Sequence, residues 1–147
     1  TTGIVQIPSG TDTNHFYREG TWTVTSNANL NFVANSNTGT YTRIGNICHA
    51  QFHIQVASVS GSNHLFFSLP FTSAAHTPST SKNGEAIGSV GQWQCGFGTD
   101  HVFASVGQSS SNCYLYSTGN NTNWTTLTNG GVSSSSQISV TLTYRIA

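Results

Sequence analysis

Glycan cleavage and most other hydrolytic chemistry need side chains that move protons or attack, and paired carboxylates are the usual means. This chain of 147 residues has four carboxylates, Asp12, Glu19, Glu85 and Asp100. Asp12 and Glu19 fall in the N-terminal segment, which leaves Glu85 and Asp100 as the sole plausible dyad. Each of those sits in a loop-like stretch, where an exposed, solubilising carboxylate is the simpler reading. Serines are many, but no Gly-x-Ser-x-Gly nucleophile elbow accompanies them. The residues point to no catalytic site.

Metal chemistry has a better starting point in the six histidines. His49 and His53, four apart on a strand, project from one face, and copies arranged about an axis could close them into a ligand ring. Their alternation with Gln51 and Gln55 suits a polar outer face or a hydrated subunit contact equally well. His15 and His76 have no partner pattern, and neither metal nor cofactor is implied. Recognition of sugars fits the composition more closely, because flat rings stack on the apolar faces of pyranoses while neutral amides and hydroxyls bond the sugar oxygens. The candidate ligand-binding rings are Trp93, Trp124, Tyr114 and Tyr116, with Asn121 and Asn123 beside Trp124 and with Gln92, Gln94 and Asn112 as further polar neighbours. The same amphipathic rings are also enriched in cores and subunit contacts. Trp124 has the best case for exposure, since it follows Gly119-Asn120-Asn121-Thr122-Asn123, a run suited to a loop tip.

The elements that would position these residues are strands. Helix formers are scarce, β-branched residues are frequent, and no apolar 3.6-residue period persists. From Ile47 to Ser58, Cys48, Ala50, Phe52, Ile54 and Val56 alternate with His49, Gln51, His53 and Gln55, so the first set faces a core. The last strand, from Ser136 to Ile146, repeats this with Ile138, Val140, Leu142 and Tyr144 inside. Shorter runs at Thr21 to Ser26, Leu30 to Ala34, His64 to Leu69, Ala86 to Phe97, Val102 to Val106, Cys113 to Ser117 and Trp124 to Leu127 read as further strands. Gly61-Ser62-Asn63, Asn83-Gly84, Gly119-Asn120-Asn121 and Asn129-Gly130-Gly131 supply turns tolerant of positive φ. The serine runs at 109–111 and 133–136 read as exposed loops. Many short antiparallel strands at this spacing make a sandwich or barrel.

Charge narrows the partners. Only 5% of residues are charged, and four basic residues cancel four acidic ones. Nothing here grips phosphates, so nucleic acid is a poor partner. No stretch reaches the roughly 20 apolar residues of a membrane helix, and no signal-peptide pattern is visible. The start at Thr1 and the absence of Met suggest a piece of a longer polypeptide. Three cysteines, Cys48, Cys95 and Cys113, argue against a disulfide framework and for buried free thiols, with a Cys95 to Cys113 bridge as the alternative.

Three further runs occur in order: Glu19-Gly20-Thr21-Trp22-Thr23, Gly39-Thr40-Tyr41-Thr42-Arg43-Ile44-Gly45-Asn46, and Ser68-Leu69-Pro70-Phe71-Thr72-Ser73. Preceded by Asp12-Thr13-Asn14 and Phe16-Tyr17-Arg18-Glu19, and closed by the strand that ends at Ile146, this set resembles the C-terminal receptor-binding knob domains of bacteriophage tail fibres, tailspikes and related virion appendages. The resemblance implies an all-β, jelly-roll-like sandwich over residues 19–147, a connection from an upstream shaft over residues 1–18, and assembly as a homotrimer. It implies a non-enzymatic host-attachment module on the virion, assembled in the host cytoplasm, whose partner is a cell-surface glycan or other receptor. Two alternatives stand beside this: a structural virion protein, such as a trimerisation cap, capsid decoration or tail component, and, third, a glycan-cleaving enzyme. The motif residues have structural roles in this reading. Trp22 and Tyr41 pack their rings in the core with polar tips at the edge, Gly39 and Gly45 serve turns or close approach, and Pro70 suits a strand edge. The chain departs from the family pattern at Val24, where Pro commonly follows Trp-Thr, and a more continuous first strand is expected.

Overall fold

The computed structural model describes residues 17–75, 86–98, 101–119 and 123–147. Ten strands follow one another among them: β1 (Tyr17–Thr23), β2 (Leu30–Phe32), β3 (Thr38–Ile44), β4 (Ile47–Val59), β5 (Phe66–Ser68), β6 (Ala86–Trp93), β7 (His101–Val106), β8 (Asn112–Thr118), β9 (Thr125–Thr126) and β10 (Gln137–Arg145). All pairings are antiparallel, in the order β1-β3-β4-β10-β6-β7-β8-β5, with β2 added to β4 and β9 to β8. The described residues contain no helix long and apolar enough to cross a membrane.

The sheet is rolled so that its two ends meet. Ser68 of β5 receives the Trp22 indole N–H on its carbonyl (3.1 Å), and its amide donates to Thr25 (2.8 Å). Phe67 of β5 packs on Phe52 of β4 at 5.2 Å between centroids. This closes a sandwich-like, all-β body around one core. That core is what the period-two alternation dictates: Cys48, Ala50, Phe52, Ile54 and Val56 of β4 and Ile138, Val140, Leu142 and Tyr144 of β10 are buried, while His49, Gln51, His53, Ser139, Thr141 and Thr143 point outward.

Several boundaries differ from expectation. The strand read at 86–97 ends at Trp93, because Gln94 takes φ +54° and turns the chain. Only Thr125–Thr126 of the run at 124–127 pairs as a strand. The serine runs are not simply exposed. Ser136 is fully buried and donates to the Gln94 carbonyl (2.6 Å), while Ser110 bonds back to Asn112, because a small hydroxyl can satisfy the backbone of its own turn. Asn129–Gly131 forms a single 3-10 turn that carries the Asn129 side chain inside, where it exchanges two hydrogen bonds with Asn27. β3 itself lacks an obvious apolar alternation, because one of its inward positions is Gly39.

The three motif runs converge on one knot. In the β1–β3 pairing, Gly20 stands opposite Tyr41 and Trp22 opposite Gly39. A Cβ on Gly39 would lie 2.4 Å from the Trp22 ring, and one on Gly20 would lie 2.6 Å from the Tyr41 hydroxyl. Each ring therefore lies across the backbone of the facing glycine. Tyr41 then meets Phe71 edge to face at 4.9 Å, Arg43 lies 5.5 Å from the Phe71 centroid, and the Tyr144 hydroxyl donates to the Phe71 carbonyl (2.9 Å). Buried Ser73 donates to Gly107 (2.6 Å) and accepts from the Ser110 amide (2.9 Å), fastening the third run to the turn before β8. Gly45 opens the two-residue β3–β4 turn at φ +59°, the sign that primed hairpin turns require at that position. β1 ends at Thr23, yet the Val24 amide still bonds the Asn37 carbonyl (2.7 Å), a contact that proline could not make.

All three cysteines are free, and Cys48 and Cys113 are buried. Burial pushes the Cys113 thiol up to about 12, and desolvation next to Cys48 raises the Tyr144 phenol. Because folding raises these values, the protonated forms belong to the native state, and their stabilisation is complete below the unfolded values of 9.0 and 10.0. Melting temperature should therefore stay level from about pH 6 to 8 and fall progressively above about pH 9. Thermal melts across that range check this, and a melting temperature that holds or rises towards about pH 11 would contradict it.

Candidate functional site

The outer surface of the rolled sheet divides into two chemically distinct halves. On β8 the buried residues are Cys113, Leu115 and Ser117, so Tyr114 and Tyr116 stand on the outer side. Register places Phe103 of β7 beside Tyr116, and Thr126 of β9 on the other side of Tyr116. Trp124, just before β9, folds over this row. Its ring lies 4.7 Å from Phe103 at 70° and 5.9 Å from Tyr116 at 50°, while Phe103 and Tyr116 stack at 5.9 Å and 20°. Trp124 remains 39% exposed. Tyr114, one outward position along β8, packs on Phe66 of β5 at 5.6 Å.

Four of the expected site residues are therefore brought together or placed side by side: Trp124 and Tyr116 in direct contact, Tyr114 on the same face, and exposed Asn123 preceding Trp124. Asn121 lies outside the described residues. Trp93 stands at the outer end of β6 opposite Gln137, 64% exposed, and no ring contact joins it to the others among the described residues. Gln92 and Gln94 are exposed beside it, and Asn112 is half-buried with its amide on Ser110. Phe103 was not among the expected residues. Its signal was a large apolar ring at the outward position of a strand whose inward positions are Val102, Ala104 and Val106.

The other half, on β1, β3, β4 and β10, is a lawn of hydroxyls, amides and imidazoles. His49 shares a 2.9 Å hydrogen bond with Thr143, and His53 shares one of 2.9 Å with Ser139. A shallow groove of about 400 Å³ is lined by Glu19, Thr21, Thr40, Thr42, His49 and Gln51, and another of about 310 Å³ by Thr38, His53, Ser139 and Thr141. Glu19, the one carboxylate among the described residues, accepts a hydrogen bond from the Tyr17 hydroxyl. Glu85 and Asp100, the dyad considered above, lie outside the described residues. No three His, Cys, Asp or Glu side chains converge among the described residues, and the two imidazoles already have hydroxyl partners.

No family model matches the chain, and no curated protein matches it. A solved structure does. The crystal structure of Dettilon tailspike protein (gp208) superposes with a TM-score of 0.66 at 15% identity, over 88% of this chain and 24% of that chain. This chain is similar in fold to part of a tailspike. At that identity the likeness establishes the fold, and the chain spans about a quarter of the length of the tailspike chain it matches. The all-β, sandwich-like architecture expected from the motifs is thus the observed one.

A strong chelator should leave melting temperature and oligomeric state unchanged, since no three metal-binding side chains converge among the described residues. Elemental analysis is the counter-test: stoichiometric zinc or iron, lost together with the assembly, would make His49 and His53 a ligand ring.

Proposed function

We propose that this chain is a host-attachment module of a phage tail fibre or tailspike, binding a cell-surface glycan without cleaving it. The observation that carries the reading is the fold likeness to a segment of a tailspike across nearly the whole chain. It is supported by the ring group of Phe103, Tyr116 and Trp124, which stands outside the buried core. The module works as a homotrimer on an upstream shaft, part of the virion. Single weak sites then suffice, because several copies on one particle raise the effective concentration of the second and third contacts. Scarcity of carboxylates weighs against cleavage, as four in the whole chain leave little material for an acid and base pair.

Light scattering and a whole-cell binding assay on the isolated chain test this reading. The expected result is a closed trimer that adheres to some bacterial strains and not to others. A stable monomer at micromolar concentration that adheres to none would overturn it.

A further inference from the structure

The polar tips of the inner and outer aromatic residues are used differently. Trp22 donates its indole N–H to Ser68 and Tyr144 its hydroxyl to Phe71, so both are fully used inside the fold. The Trp124 indole N–H and the Tyr114 and Tyr116 hydroxyls find no partner among the described residues, on rings whose apolar bodies are held firmly by neighbours. Tyr116 and Trp124 meet at 50°, which makes an angled corner, and Phe103 touches both and fixes that angle. A corner of two fixed rings with free donors at the rim can take the apolar face of a sugar ring and bond its hydroxyls.

Charge then selects among sugars. The four basic residues are Arg18, Arg43, Lys82 and Arg145, of which Lys82 lies outside the described residues. The three arginines sit on β1, β3 and the end of β10, and Arg43 is committed to the Gly45 carbonyl and the Phe71 ring. The ring corner belongs to β7, β8 and the approach to β9, on the far side of β6 in the sheet order. No arginine or lysine is available there among the described residues to pair with a carboxylate, sulfate or phosphate. We infer that the Tyr116–Trp124 corner is a binding site for uncharged hexopyranose glycans, with Phe103 as its positioning residue. This rests on the attachment reading and narrows it: the site favours uncharged sugar rings over those bearing uronate or sialate.

The test uses the complete chain and adherent bacterial cells. With the wild-type protein, periodate treatment of the cells, which destroys sugar diols, should abolish adherence. Raising salt to about 0.5 M should change adherence by less than about twofold, because no charge pair is screened. Neutral glucose, galactose or mannose oligosaccharides should compete, and uronate- or sialate-bearing ones should not. Trp124→Ala should weaken adherence at least about tenfold with oligomeric state unchanged, and Trp124→Phe, which keeps the packing, should weaken it less. Phe103→Leu should weaken adherence and also alter the tryptophan emission shift on sugar binding, which a role confined to stability would leave intact. Adherence that survives periodate, is blocked by acidic sugars, falls steeply with salt or is unaffected by Trp124→Ala would overturn the inference while leaving attachment standing. Loss of the trimer in Trp124→Phe would likewise overturn it, by making the corner a contact between copies. Failure of the wild-type protein to adhere to any cell would instead remove the attachment reading, and the inference with it.

Discussion

Two glycines facing two aromatic rings across one strand pair are the constraint on which the rest of this structure depends. Trp22 lies over Gly39 and Tyr41 over Gly20, each so close that a single added carbon would sit within 3 Å of the ring. The rings gain a flat, fully contacting backbone surface, and the glycines, which alone weaken a strand, gain the packing they lack. Register follows from this, since a slip of one residue would put a ring against a threonine and turn the inner face of β1 outward. Once β1 is fixed on β3, the Trp22 indole can reach the Ser68 carbonyl and close the roll, and Tyr41 can meet Phe71.

That arrangement divides labour between the two sides of the sheet. The motif rings and Ser73 are consumed inside, with Phe71 held by Tyr41, Arg43 and Tyr144, and Ser73 held by Gly107 and Ser110, while Glu19, Thr21 and Thr40 of the same runs face outward. The outer face is thereby free to vary without loss of the fold. One half uses this freedom for a neutral polar lawn around His49 and His53. The other half carries Phe103, Tyr116 and Trp124, where Trp124 stays 39% exposed and the polar tips of Tyr116 and Trp124 have no partner among the described residues. An interior that relies on apolar packing and neutral hydrogen bonds also suits a chain with so few charges: among the described residues, burial raises the Cys48 and Cys113 thiols and the Tyr144 phenol and so favours their neutral forms.

Much of the fold was legible because period two is a strong signal when the inward residues are large. β4 and β10 could be read to within a residue or two from Phe52, Ile54, Val140 and Leu142. β3 was less legible, because Gly39 fills an inward position and only its facing Trp22, seventeen residues earlier, gives it apolar meaning. Ser136 and Asn129 were misleading for a related reason: their polarity suggests solvent, whereas each satisfies a particular buried partner that composition cannot reveal. Of the proposed site, Trp124 and Tyr116 could be named from residue type and loop context, but their contact depends on the β8–β9 pairing, and Phe103 enters only through the β7–β8 register. Trp93, equally aromatic in sequence, is separated from them by where β6 ends.

The most direct test is a double-mutant cycle on Trp22 and Gly39, read by denaturant unfolding. Gly39→Ala alone should cost about 1 to 3 kcal/mol, since the new methyl must displace the Trp22 ring. In a Trp22→Ala background the methyl has room, so most of that cost should vanish and the coupling energy should reach about 1 kcal/mol or more. Costs that add to within about 0.5 kcal/mol would contradict the account.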